Sequence, residues 1–109
     1  MAESFSVFWT ATAQHDLSAI IEHIMNESPQ NARTVFQTLK ENAQKLNTFP
    51  ERGRVVPELS EIGVFVYREL VIERWRLIYK VETNRVFVMA LIDSRQNAED
   101  ILFHRLIGR

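Results

Sequence analysis

The chain has 109 residues, 46% of them hydrophobic and 25% charged, with seven Phe, two Trp and two Tyr to bury; that is the make-up of one globular domain over residues 1–109, too short to be split into two cores. The absence of cysteine excludes disulfides, thiolate metal ligands and Cys nucleophiles, and nothing argues for an oxidising compartment. A net charge of −1 and a pI near 6.3 fall far short of the dense basic surface of a tight polyanion binder.

In chain order, Met1 to Thr10 contains no basic segment leading into an apolar run, and no stretch approaches the roughly 20 apolar residues of a membrane span. The expectation is a cytoplasmic chain with no membrane contact. Phe5 to Trp9 is short, aromatic and β-branched and reads as a first strand. Thr10 or Thr12 then caps a helix with Asp16 near its positive end. Ala13, Leu17, Ile20, Ile21 and Ile24 follow at helical spacing to about Asn26, which leaves His15, Glu22 and His23 on the wetter side. Ser28-Pro29 starts a second helix, since Ser caps and Pro is pre-set for the first helical position. Ala32, Val35, Phe36, Leu39, Ala43 and Leu46 form its apolar stripe until Pro50 and Gly53 stop it.

Beyond Gly63 the period changes to two. Val64 to Leu70 and Arg74 to Val81 read as strands, the second placing Trp75, Leu77, Tyr79 and Val81 on one face and Arg74, Arg76 and Lys80 on the other. Glu82 to Arg85 forms a short turn, and Val86 to Ile92, almost wholly apolar, returns as the far arm of a hairpin and a central strand. Ser94 or Asn97 caps a last helix that carries Glu99 and Asp100 in its first turn and Arg105 before Gly108. The order β-α-α-β-β-β-α describes an α+β fold in which a mostly antiparallel sheet has a helical hairpin on one face and its other face open.

These segments together resemble the RelE/ParE superfamily of toxins, the plasmid-stabilisation proteins of type II toxin-antitoxin systems, and lie closer to ParE. The resemblance is carried in order by Thr10, Ala13, Asp16-Leu17, Ile20 and Ile24, by Phe49 to Glu58 with its Pro-Glu-Arg-Gly-Arg turn, by Tyr67-Arg68-Glu69-Leu70, by Trp75 to Val81 and by Asp93-Ser94-Arg95. It implies growth arrest, neutralisation by a cognate antitoxin whose tail wraps the toxin, a higher-order toxin-antitoxin complex, and no cofactor or metal. The superfamily holds two activities on one scaffold: RelE-like members cut mRNA on the ribosome, and ParE-like members poison DNA gyrase without hydrolysis. A third outcome is a copy that has lost toxicity and survives as a partner-binding scaffold.

The residues bear on that choice. Metal-free RNA cleavage needs a base for the ribose 2′-hydroxyl, cations for the phosphorane charge and an acid for the leaving oxygen. Arg76 stands where the RelE-like nucleases carry a catalytic arginine, or else pairs with Glu69 or Glu73 across the sheet. Arg68, Arg95 and His104 complete the nuclease set, but the preceding strand has no lysine and the chain end offers His104, itself a candidate surface or capping residue, in place of a tyrosine. Ser94 has no histidine partner and is better explained as a cap. In Arg52-Gly53-Arg54 the arginines form an anion clamp, or Arg54 pairs with Glu51 or Glu58 to fix the loop. Residues 1–51 hold three Lys/Arg against six acids, a balance of −3, and residues 52–109 hold ten against eight, a balance of +2. The sequence therefore leans toward gyrase inhibition by protein binding, with Arg54, Arg68, Arg74, Arg76 and Arg95 as candidate contacts for target or antitoxin and ribosome-dependent cleavage of mRNA as the alternative.

Overall fold

A computed structural model describes residues 4–107. The elements are β1 (Ser6–Trp9), α1 (Ala11–Met25), α2 (Pro29–Gln44) with a 3-10 turn at Lys45–Asn47, β2 (Arg54–Val55), α3 (Pro57–Ser60), β3 (Tyr67–Ile72), β4 (Trp75–Glu82), β5 (Arg85–Asp93) and α4 (Ala98–Leu102), which continues as a wider π turn over Phe103–Ile107. They build one five-stranded sheet in the order β1-β5-β4-β3-β2. Only the β1 and β5 pair is parallel; the other three are antiparallel.

Local signals explain the first half. Thr10 accepts from the Ala13 amide and Ser28 from the Asn31 amide, so each helix begins on a hydroxyl cap, and Pro29 stands in the first turn of α2. From the buried stripe of α2, which begins at Ala32, Val35, Leu39 and Ala43 pack with Ala13 and Leu17 of α1 against Leu77 and Tyr79 of β4 and Val86, Val88 and Leu91 of β5. One face of the sheet is thereby the floor of the main core.

The expectation that the second face stands open needs correction. Val56, Leu59, Ile78, Ala90, Ile92, Ala98 and Leu102 form a second buried cluster there, so α3 and α4 cover the β3 to β5 side of that face. The short elements β2 and α3 were not foreseen, because two strand residues and one helical turn are too brief for a period to register. Pro57 at the head of α3 was the one available sign. What these helices cover less is a cross-strand row of Phe8, Phe87, Lys80 and Tyr67, of which Phe8 is exposed and the other three half-buried, and in which Phe8 stacks on Phe87 with ring centroids 5.7 Å apart.

The register shift between Ile78 and Tyr79 in the pairing of β4 with β5 inserts Met89 as an extra residue. This turns Val86 and Val88 toward the helical hairpin while Ala90 and Ile92 face α4. An almost wholly apolar strand thus serves two cores in succession. The last helix is capped by Asn97, whose side chain accepts from the Asp100 amide, and not by Ser94, whose own amide donates to the Arg74 carbonyl at 2.7 Å. Gly108, the expected stop, lies outside the described residues. Among those described, no helix is long and apolar enough to cross a membrane.

Both hairpin turns hold a non-glycine residue at positive φ, Glu73 at 57° and Thr83 at 56°. For a β-branched residue this left-handed conformation is strained. Replacing Thr83→Gly should therefore raise stability by about 1 kcal/mol in urea denaturation; an unchanged or lower midpoint would show that the turn carries no such strain.

Candidate functional site

The antiparallel pairings set Arg54 beside Glu69 and Glu69 beside Ile78, and Arg76 lies two residues before Ile78 on the same face of β4. The Glu69 side chain is fully buried. Its Oε1 accepts from Arg76 Nε and its Oε2 from Arg54 Nε, each at 2.6 Å. Arg76 then grips Glu58 of α3 with both terminal nitrogens, Nη1 to Oε2 at 2.9 Å and Nη2 to Oε1 at 2.7 Å. Two guanidinium groups and two carboxylates close a neutral chain across β2, β3, β4 and α3.

The electrostatics follow from these contacts. The hydrogen bond from Arg76 holds the Glu58 carboxyl below its usual value, and the hydrogen bonds that Arg76 donates to Glu58 and Glu69 push its guanidinium further up than an arginine already lies. Arg76 is thus permanently charged, about nine-tenths out of solvent and already paired on two edges. Arg54 keeps its side chain 60% exposed. The sequence foresaw Glu69 as a partner of Arg76 but not Glu58, and its candidate partners for Arg54, Glu51 and Glu58, give way to Glu69.

The loop before β2 is locked from below. The Gly53 amide donates to the Tyr79 hydroxyl at 2.9 Å and the Gly53 carbonyl accepts from Arg68 Nη1 at 2.8 Å. A Cβ at this position would stand 2.5 Å from the Glu69 carbonyl oxygen and 2.6 Å from the Tyr79 hydroxyl. Glycine is required here for close approach of the backbone, a different reason from the tight turn that the sequence suggests. Burial pushes the Tyr79 hydroxyl above its ordinary pKa, which keeps it a neutral acceptor.

The other candidates lie elsewhere. Arg74 and Arg95 both converge on Asp93 Oδ2, at 2.6 and 3.0 Å, beyond the end of the central hairpin. His104 is exposed on the C-terminal π turn, and His15 and His23 are exposed on α1. A residue whose role the sequence misstates is Asp16. It sits in the second turn of α1, buried, and accepts from the Leu91 amide at 3.0 Å and from Arg105 Nη1 at 2.7 Å. Its position on the apolar stripe with Ala13, Leu17 and Ile20 was the signal that it faces inward. Among the described residues no cluster of His, Asp or Glu could hold a metal ion.

Residues 7–98 match the family model described as the ParE toxin of type II toxin-antitoxin system, parDE. No curated protein matches the sequence. Among solved structures, a chain of the chromosomal ParDE TA system from P. aeruginosa aligns with a TM-score of 0.69 at 22% identity, over 83% of this chain and 96% of that one. A chain of the toxin-antitoxin complex RelBE2 from Mycobacterium tuberculosis aligns with a TM-score of 0.56 at 17% identity, over 84% of this chain and 92% of that one. At these identities the likeness is one of fold.

Two measurements test the ion-pair chain. Glu69→Ala takes the shared buried partner from both arginines, leaves Arg76 Nε unpaired with only Glu58 to hold the guanidinium, and should cost about 3–5 kcal/mol in urea denaturation, whereas Arg54→Ala leaves Glu69 Oε2 without a donor but Oε1 still on Arg76 and should cost about 1–3 kcal/mol; equal costs would contradict the burial asymmetry. Because the Glu58 pKa is lowered on folding, its contribution is present above the usual 4.5 and is lost as pH falls through the folded value. The stability difference between wild type and Glu58→Gln should accordingly be largest at neutral pH and shrink on acidification, and a difference that is flat with pH would rule this linkage out.

Proposed function

The chain belongs to the ParE toxin family of type II toxin-antitoxin systems, and from that premise we propose that it arrests growth by binding DNA gyrase, not by cutting RNA, and is silenced by a cognate antitoxin. The observation that carries the reading is the state of Arg76. A cation that stabilises a phosphorane must present free N–H groups to the reacting phosphate, and here three of the five are committed to Glu58 and Glu69. Arg54 is held by Glu69, and Arg68 donates to the Gly53 carbonyl.

No acid-base partner stands in that chain of charges. Its members are two arginines, always protonated, and two carboxylates whose oxygens accept from them; Tyr79, the neighbouring hydroxyl, is buried and bonded to Gly53. The net charge of −1 adds no general attraction to ribosomal RNA. Inhibition by surface complementarity asks for none of this machinery, only for a rigid platform with exposed apolar and charged groups. Phe8, the exposed end of the row through Phe87, Lys80 and Tyr67, and the exposed Arg54, Arg74 and Arg95 supply such groups.

Purified protein in excess should block supercoiling of relaxed plasmid by gyrase, and primer extension on mRNA from cells expressing it should show no codon-aligned cuts. Gyrase that keeps full activity at excess protein would remove this reading, and discrete cuts would replace it with the endoribonuclease.

A further inference from the structure

The sheet has two edges, and they are finished differently. At the β2 edge the strand is two residues long, with the charged Arg54 in it and Pro57 close behind; brevity, charge and proline all discourage a further strand from pairing there. The β1 edge, Ser6-Val7-Phe8-Trp9, carries no charge and no proline, and its brevity is its one protection. Phe8 on this strand keeps 46% of its surface exposed.

The hydrogen bonds show which way the strand faces. The Ser6 and Thr10 amides donate to the Asn84 and Val88 carbonyls at 3.0 and 3.1 Å, so the even-numbered residues turn their main chain toward β5. The Phe5 amide points the opposite way and donates to the Asn47 carbonyl at 2.7 Å. By the alternation of the parallel ladder, Val7 and Trp9 present their N–H and C=O groups to the open side. The usable edge is bounded by Asn47 at one end and by the turn of Thr10 into α1 at the other.

Those outward groups lie symmetrically about Phe8, which makes the strand its own antiparallel complement. With Val7 opposite Trp9 of a second copy, and Trp9 opposite that copy's Val7, each pair exchanges two main-chain hydrogen bonds. Phe8 then meets its counterpart on the two-fold axis as the closer, non-hydrogen-bonded pair, with Cα atoms about 4.5 Å apart. Since Phe8 already stacks on Phe87, the two stacks join across the axis into one run of rings. A strand from another protein would have to bring that ring, whereas a second copy supplies it by symmetry. The chain's net charge of only −1 sets up little repulsion between copies.

We infer that two copies of this chain associate through β1, in antiparallel register centred on Phe8, and so join their two five-stranded sheets into one. The row through Phe87, Lys80 and Tyr67 then continues from one copy into the other as a single surface. Three paired residues and two rings form a small interface, so the dimer is weak, with a dissociation constant of roughly 10–100 μM. The inference does not rest on the gyrase reading.

Sedimentation equilibrium of the free chain from about 1 to 500 μM should show monomer giving way to dimer. Phe8→Lys sets two like charges face to face on the axis and should weaken association about tenfold or more while keeping the wild-type melting temperature. The chain has no cysteine, so the register can be read by cross-linking. Under mild oxidation Phe8→Cys should form a disulfide-linked dimer, because its Cα separation lies within disulfide reach. Ser6→Cys, roughly 14 Å from its counterpart in this register, should stay monomeric. A wild type that remains monomeric to about 500 μM, a Phe8→Lys variant that associates like wild type, or cross-linking that is absent or equal in the two cysteine variants would each overturn the proposal. If the free chain is monomeric and the Val7 and Trp9 amides become protected from hydrogen exchange only on adding the product of the adjoining reading frame, the edge belongs to that partner and the proposal falls likewise.

Discussion

The structure turns on keeping the carboxylate of Glu69 charged in the interior. A carboxylate taken out of water costs several kcal/mol unless it is paired and hydrogen-bonded at both oxygens, and Glu69 is fully buried near the middle of β3. Arg54 and Arg76 meet one oxygen each, and Glu58 then offsets the second guanidinium. Much of the local architecture follows. The two-residue strand β2 exists to carry Arg54 to the sheet edge, and the single turn of α3 carries Glu58 over Arg76. Gly53 allows the chain to pass so close to Glu69 that no side chain fits between them.

An apolar side chain at position 69 would be comparably stable in principle, since buried ion pairs seldom outdo well-packed hydrophobic groups. Specificity of pairing is what the charge adds. A one-residue slip of β3 against β4 would turn Glu69 into the core under the helical hairpin, among Leu39, Leu77 and Tyr79, with no cation to receive it. The apolar residues alone resist that slip weakly, because Leu70 and Ile72 would exchange faces with Val71 at modest cost. The charge chain makes the correct register the only satisfied one.

How far this was legible in the sequence depended on length and on neighbours. The two long helices announced themselves by cap and stripe, and the hairpin of β4 and β5 by its alternation, since periods need several residues to show. Four-residue and two-residue elements have no period, so β2 and α3 stayed hidden and with them the cover over the second face. The Arg76 to Glu69 pair was readable because strands that follow one another usually lie side by side. The second partner of Arg76, Glu58, was not, as it arrives on an unforeseen element. Asp16 was misjudged because a charge near a helix start has a ready explanation in the dipole, whereas its actual work is to satisfy the Leu91 amide that β1 ends too soon to reach.

The same reasoning bears on how a toxin scaffold divides between chemistry and binding. To enlist the paired edges of Arg76, a phosphate would have to displace Glu58 or Glu69, and a displaced Glu69 would keep only Arg54 for its buried carboxylate. Breaking a buried pair in that way costs about 3–5 kcal/mol, which is most of what a charge-assisted contact to phosphate returns. The arginines at the Asp93 corner are under no such constraint, because their guanidinium groups remain largely in solvent. A partner that approaches there gains contacts without undoing any. The fold thus spends its most buried cation on its own register and keeps its available ones at the rim, an arrangement suited to recognising a protein surface.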